Sequence, residues 1–79
     1  MDWRNHIEIN EKVLAGKPVL KGTRISVEHI IDLLAVGWTD QEIIENYPRI
    51  TKENLQAVFS YIQEIIQDGL IFQDPQRSA

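Results

Sequence analysis

Lys17, Lys21 and Arg24 fall within eight residues, in the run Gly16-Lys17-Pro18-Val19-Leu20-Lys21-Gly22-Thr23-Arg24-Ile25-Ser26-Val27. Side chains of this type offer phosphate contact, which gives salt-dependent affinity and register but no sequence preference. Arg49 and Lys52 make the same offer further along the chain, where the N-terminal end of a recognition helix would meet phosphates. Asn54, Gln56 and Ser60 follow with amide and hydroxyl groups able to read base edges. The candidate DNA-binding residues are therefore Lys17, Lys21, Arg24, Arg49, Lys52, Asn54, Gln56 and Ser60. The opposing reading of the first run is a solvated hairpin whose cations only keep a sheet edge soluble. Thr23 reads first as a brace, its hydroxyl bonding the turn backbone, and second as a phosphate or partner contact. Arg24 is the better functional candidate of the two.

No constellation for catalysis accompanies these cations. Asp40, Glu42 and Glu45 are acids in the first turns of a short helix, where they complement the helix dipole and face solvent. Tyr47, Thr51 and His29 form no base and nucleophile pair, and Gly16-Lys17 lacks the upstream glycine and following helix of a phosphate-binding loop. The absence of cysteine removes disulfides and thiolate metal sites, and His6 and His29 are too far apart to suggest a paired ligand set. The expectation is a protein that is not an enzyme and has no cofactor or metal.

At 79 residues the chain is one domain with a marginal core, and a second copy is the favoured means of stabilising it. Asp2, Arg4, His6 and Glu8 are incompatible with an apolar signal core. The longest apolar stretch, Leu33 to Val36, is far too short to span a bilayer, so the expected location is cytoplasmic with no membrane contact. The net charge of −4 is unevenly divided. Residues 1–25 set Arg4, Lys12, Lys17, Lys21 and Arg24 against Asp2, Glu8 and Glu11, a net +2, whereas residues 26–79 set three cations against nine acids, a net −6. Any basic face must be small, but the total does not exclude DNA.

The elements that would position these residues are legible from caps and periodicity. Gly16, Pro18 and Gly22 around Val19, Leu20 and Ile25 read as turn, short strand, turn and second short strand, a ribbon ending at Ser26. Ser26 caps a first helix with Val27, Ile30, Ile31 and Leu34 at helical spacing and Gly37 as its left-handed end. Leu33 and Val36 fall off that stripe, so the helix is apolar on more than one face, which suits burial against a second chain as well as its own core. Thr39-Asp40-Gln41-Glu42 is a capping box leading to Ile43, Ile44 and Tyr47, and Pro48 stops this short second helix. Thr51 caps a longer third helix whose Leu55, Val58, Phe59, Ile62, Ile65 and Ile66 repeat at three and four, with Gly69 at its end. Lys52, Glu53, Gln56, Ser60, Gln63 and Gln67 form its other face. Short helix, tight turn and longer helix make a helix-turn-helix-like arrangement able to lay its third helix in a major groove.

Three ordered motifs add a resemblance. Gly16-Lys17-Pro18-x-x-x-Gly22-Thr23-Arg24-Ile25-x-Val27, Gly37-Trp38-Thr39-x-x-Glu42-Ile43 and Tyr47-Pro48-x-Ile50-Thr51 together resemble the bacterial family known as domain of unknown function 433. The resemblance implies a mainly α fold, in which a short N-terminal β-ribbon precedes a homeodomain-like or winged-helix-like three-helix bundle with a helix-turn-helix. On the sequence this divides into a ribbon arm at 1–25, the helical core at 26–69 and a tail at 70–79, all in one domain. It further implies a dimeric antitoxin of a type II toxin–antitoxin pair, which binds double-stranded DNA at its own promoter and neutralises a PIN-like, ribonuclease-fold toxin.

In the dimer so expected, strands near Ile7–Ile9 and Val19–Ile25 pair between chains and two third helices meet successive grooves. In the tail, Leu70 suits the contact that accompanies a helix ending in glycine. Ile71 and Phe72 are the candidate partner-binding residues, packed either on the core or dimer mate or in a toxin-docking segment. The alternative to the whole reading is a dimeric protein-interaction adaptor that never touches DNA.

Overall fold

The computed structural model describes residues 1–69, and Ile71 and Phe72 lie outside them. A one-turn 3-10 helix at Trp3–Asn5 leads into β1 (Ile7–Glu8), and a second 3-10 turn at Leu14–Gly16 leads into β2 (Val19–Leu20). Three helices follow: α1 (Val27–Ala35), α2 (Asp40–Asn46) and α3 (Lys52–Gln67). The chain is thus mainly helical with a two-stranded antiparallel sheet at its N-terminal end.

Each helix begins where a side chain can take up a free N–H. Ser26 Oγ accepts from the His29 amide at 3.0 Å. Thr39 and Glu42 close a reciprocal box, Thr39 Oγ1 accepting from the Glu42 amide at 3.1 Å and Glu42 Oε1 from the Thr39 amide at 3.0 Å. These backbone and hydroxyl bonds hold the Glu42 carboxyl below its ordinary pKa. Helix α1 ends in a full Schellman motif: Gly37 takes φ 102°, its N–H donates to Leu34 O at 3.1 Å, and the Trp38 N–H donates to Leu33 O at 3.0 Å.

The core joins both strands to all three helices. Ile7, Val19, Leu20, Val27, Ile30, Ile43, Ile50, Leu55, Ala57 and Val58 are buried. Trp3 packs from the N-terminal turn onto Tyr61 of α3 in an edge-on contact, ring centres 4.7 Å apart, with the Arg4 guanidinium 4.4 Å over its face. Arg4 also reaches Glu64 on α3 at 3.1 Å, so the N-terminal segment is strapped along the third helix.

The ribbon differs from the expected hairpin in one respect. The strand at Ile7–Glu8 pairs with Val19–Leu20 within the chain, in the register Ile7 to Leu20 and Glu8 to Val19. Val19–Leu20 lies in the middle, because its other side meets the 25–27 segment: Leu20 N donates to Ile25 O at 3.0 Å and Val27 N to Pro18 O at 2.9 Å. Ser26 makes an isolated bridge to Val19, so the 25–27 segment is not a full second strand of a local hairpin.

The apolar stripe of α3 is also divided. Leu55 and Val58 are buried, while Phe59 keeps 49% of its surface exposed and Ile66 keeps 39%. A stripe at three and four spans both flanks of a 3.6-residue helix once it exceeds one face, and the core here takes only the side shared by Leu55, Ala57 and Val58. On α1, Leu33 and Leu34 pack against the core, whereas Val36, the residue after its last turn, is left 76% exposed.

Candidate nucleic-acid interface

The turn from Lys21 to Ile25 is built by its own residues. Gly22 adopts φ 76°, a conformation disfavoured for any residue with a Cβ. Thr23 then fixes the turn twice, its hydroxyl donating to Leu20 O at 2.7 Å and accepting from the Ile25 amide at 3.0 Å. The bracing reading of Thr23 accounts for both capacities of its hydroxyl. Arg24, exposed beside it, has no ion pair among the described residues.

The second half of the site comes from the corner between α2 and α3. Asn46 ends α2, Pro48 prevents its continuation, and the Ile50 amide donates to Tyr47 O at 2.8 Å, closing a turn that buries Ile50 and exposes Arg49. Arg49 Nη1 donates to Gly22 O at 3.3 Å, across 27 positions of sequence. The ribbon turn and the α2–α3 corner thereby meet. A depression of about 360 Å³ opens where they join, lined by Glu8, Val13, Gly22, Thr23, Arg24 and Arg49.

Lys21 stands next to this turn in the chain, and Lys52 opens α3 three residues after Arg49. Neither has an ion pair among the described residues. Four of the candidate cations, Lys21, Arg24, Arg49 and Lys52, thus belong to two segments in contact. Glu8 is the acid in the wall of the depression. Lys17 belongs elsewhere, paired with Glu28 of α1 at 3.3 Å.

The polar candidates on α3 separate as well. Gln56 lies exposed on the outer side of the helix. Asn54 is occupied by a second capping box: Oδ1 accepts from the Thr51 amide at 2.9 Å, Thr51 Oγ1 accepts from the Asn54 amide at 3.2 Å, and Nδ2 lies 3.4 Å from His6 Nδ1. Ser60 is half-buried and turned toward Met1, donating to its carbonyl at 3.5 Å. Asn54 was readable as a cap, since Asn54 stands three residues after a helix-starting Thr51. The Arg49 contact with Gly22 had no local signal at all.

A model described as protein of unknown function (DUF433) matches residues 7–62. The chain belongs to the DUF433 family. The match takes in the ribbon, the Gly22-Thr23-Arg24 turn and Arg49, as well as α1, α2 and most of α3. A crystal structure of a DUF433 member from Anabaena variabilis is similar, with a TM-score of 0.74 and 31% identity. That similarity covers 82% of this chain and 64% of the Anabaena chain, so the present sequence spans under two thirds of that relative. None of the curated proteins matches this chain.

Among the described residues no three His, Cys, Asp or Glu side chains are grouped to hold a metal ion, and no helix is long and apolar enough to cross a membrane. The two histidines serve local contacts, His6 beside Asn54 and His29 with Nε2 2.9 Å from the Tyr47 hydroxyl.

Proposed function

We propose that this family member is a non-catalytic, dimeric DNA-binding regulator of the antitoxin type. In this reading it sits on the promoter of its own operon and neutralises a PIN-like, ribonuclease-fold toxin. The observation that carries the reading is the Arg49 bond to Gly22 O, which joins the ribbon turn to the foot of α3. Lys21, Arg24, Arg49 and Lys52 then serve as phosphate contacts on either side of a helix start, while Gln56, one turn into α3, is placed for a base edge. A small cationic patch on an acidic chain suits a protein that must bind a duplex locally without general attraction to nucleic acid.

The test is binding of the purified protein to a fluorescent duplex of its own upstream region, against a scrambled duplex, at two salt concentrations. Sequence-preferring binding that weakens with salt is the expected result. No binding at low salt would sink the DNA reading. The toxin half is tested by co-expression with a PIN-like nuclease encoded beside it, where growth rescue and co-purification are expected and neither appears if that half is wrong.

One observation favours the alternative of a protein-interaction adaptor. The exposed Phe59 and Ile66 place apolar surface where a helix devoted to a DNA groove would carry polar groups. The duplex experiment separates the two readings, because an adaptor binds neither the operator nor the scrambled sequence.

A further inference from the structure

We propose that the outer stripe of α3, formed by Phe59, Gln63, Ile66 and Gln67, is the face through which two copies of this chain pair. The two helices run antiparallel about a two-fold axis. This rests on the two-copy part of the function proposed above and on none of its DNA chemistry.

The stripe recurs at three and four residues, and all four side chains are exposed among the described residues. It is also free of charge, in a protein of which a quarter of the residues are charged. The nearby acid Glu64 is turned to the N-terminal strap, where it meets Arg4 at 3.1 Å. Loss of charge together with an exposed aromatic residue is the compositional mark of an interface centre.

Charge also selects a second copy as the occupant. Two molecules of net −4 repel over most approaches, and an uncharged stripe lets them meet with no like charges facing across the centre of the contact. The outer side of α1 does not offer this, because Glu28 and Asp32 flank its exposed Ile31.

A two-fold contact must also be self-complementary. With Phe59 laid over Ile66 of a second copy, and the reverse, the axis passes beside Gln63. Its amide both donates and accepts, so two copies of Gln63 satisfy one another at the centre. Antiparallel helix dipoles add to the fit. Lys52 and Gln56, in the first turns of α3, stay outside the crossing and free for the proposed duplex contact.

The 79-residue chain should sediment at about twice its 9.2 kDa mass at micromolar concentration. Phe59→Glu should shift it to the monomer mass with an unchanged far-ultraviolet spectrum, since the side chain it replaces lies on the surface. Gln63→Cys supplies a positive test in a chain without cysteine, because a disulfide between copies requires Cα atoms within about 7 Å. Under mild oxidation Gln63→Cys should form a covalent dimer in high yield, and Gln41→Cys on α2 should not.

A wild-type chain that sediments as a monomer at every concentration would overturn the proposal. So would a dimer that survives Phe59→Glu, or equal cross-linking of the two cysteine variants. If the wild type is monomeric and removal of 70–79 changes the environment of Phe59, the occupant is the chain's own tail and the proposal fails. Loss of duplex binding with an intact α3-paired dimer would strike the DNA reading and leave this one standing.

Discussion

Ala15 carries strain that a single substitution can release. Leu14, Ala15 and Gly16 have φ of 49°, 55° and 84°, three consecutive left-handed residues in the link between the strands. A side chain in that region costs about 1–2 kcal/mol, and glycine removes the cost while adding about 0.4–1 kcal/mol of unfolded-state entropy. Ala15→Gly is expected to stabilise the fold by about 0.5–1 kcal/mol, raising the thermal midpoint by a few degrees. A lowered midpoint would show that the geometry is not strained. At Thr23 the reverse applies. Thr23→Val loses the bonds to Leu20 O and the Ile25 amide and should cost about 1–2 kcal/mol in urea unfolding, whereas Thr23→Ser should recover most of it. If the hydroxyl mattered only for a ligand, both variants would unfold like the wild type.

At the scale of elements, the helix starts are the parts most plainly written in the chain. Ser26, Thr39 and Thr51 each stand one residue before a helix, and each side chain accepts the bond its type suggests. The box at α2 makes stability depend on pH. Because folding lowers the Glu42 pKa, the unfolded chain binds more protons in the window between that lowered value and the ordinary one. The stabilisation is present above the ordinary value and is lost as pH falls through the lowered one. Glu42→Gln keeps an acceptor for the Thr39 amide but removes the titration, so its stability should vary less with pH across that acid window. Parallel pH curves for variant and wild type would remove the cause assigned here. The strands were less legible than the helices. A two-residue strand has no period to read, and Ile7 to Leu20 is a pairing across a loop whose closure no local pattern announces.

At the scale of the whole molecule, the cations act only as the tertiary structure groups them. Lys17 turned out to serve α1 through Glu28, while Arg49 joined Gly22. Arg24→Ala and Arg49→Ala together are therefore expected to weaken duplex binding across all sequences and to lower the magnitude of the salt slope by about 2, one for each phosphate contact. Lys17→Ala should leave the slope unchanged. An unaltered slope in the double variant would take the ribbon turn out of the interface. Asn54 and Ser60 show why the candidate site was only partly readable. Both stand at suitable positions on a helix, yet one is engaged in its own cap and the other is turned toward the N-terminal segment laid against α3. Side-chain type gives a capacity for hydrogen bonding, and the neighbours decide whether that capacity remains available.

The sequence by itself determined the helices, their caps, the left-handed ends at Gly37 and Gly69, and the turn chemistry of Gly22 and Thr23. Each of these is fixed by interactions within about four residues. Only the tertiary structure decided that β1 pairs with β2 in one chain, that α3 turns Phe59 and Ile66 outward, and that Arg49 meets the ribbon turn. Those outcomes follow from how one small core, shared by two strands and three helices, apportions its limited volume, and no local spacing encodes that division.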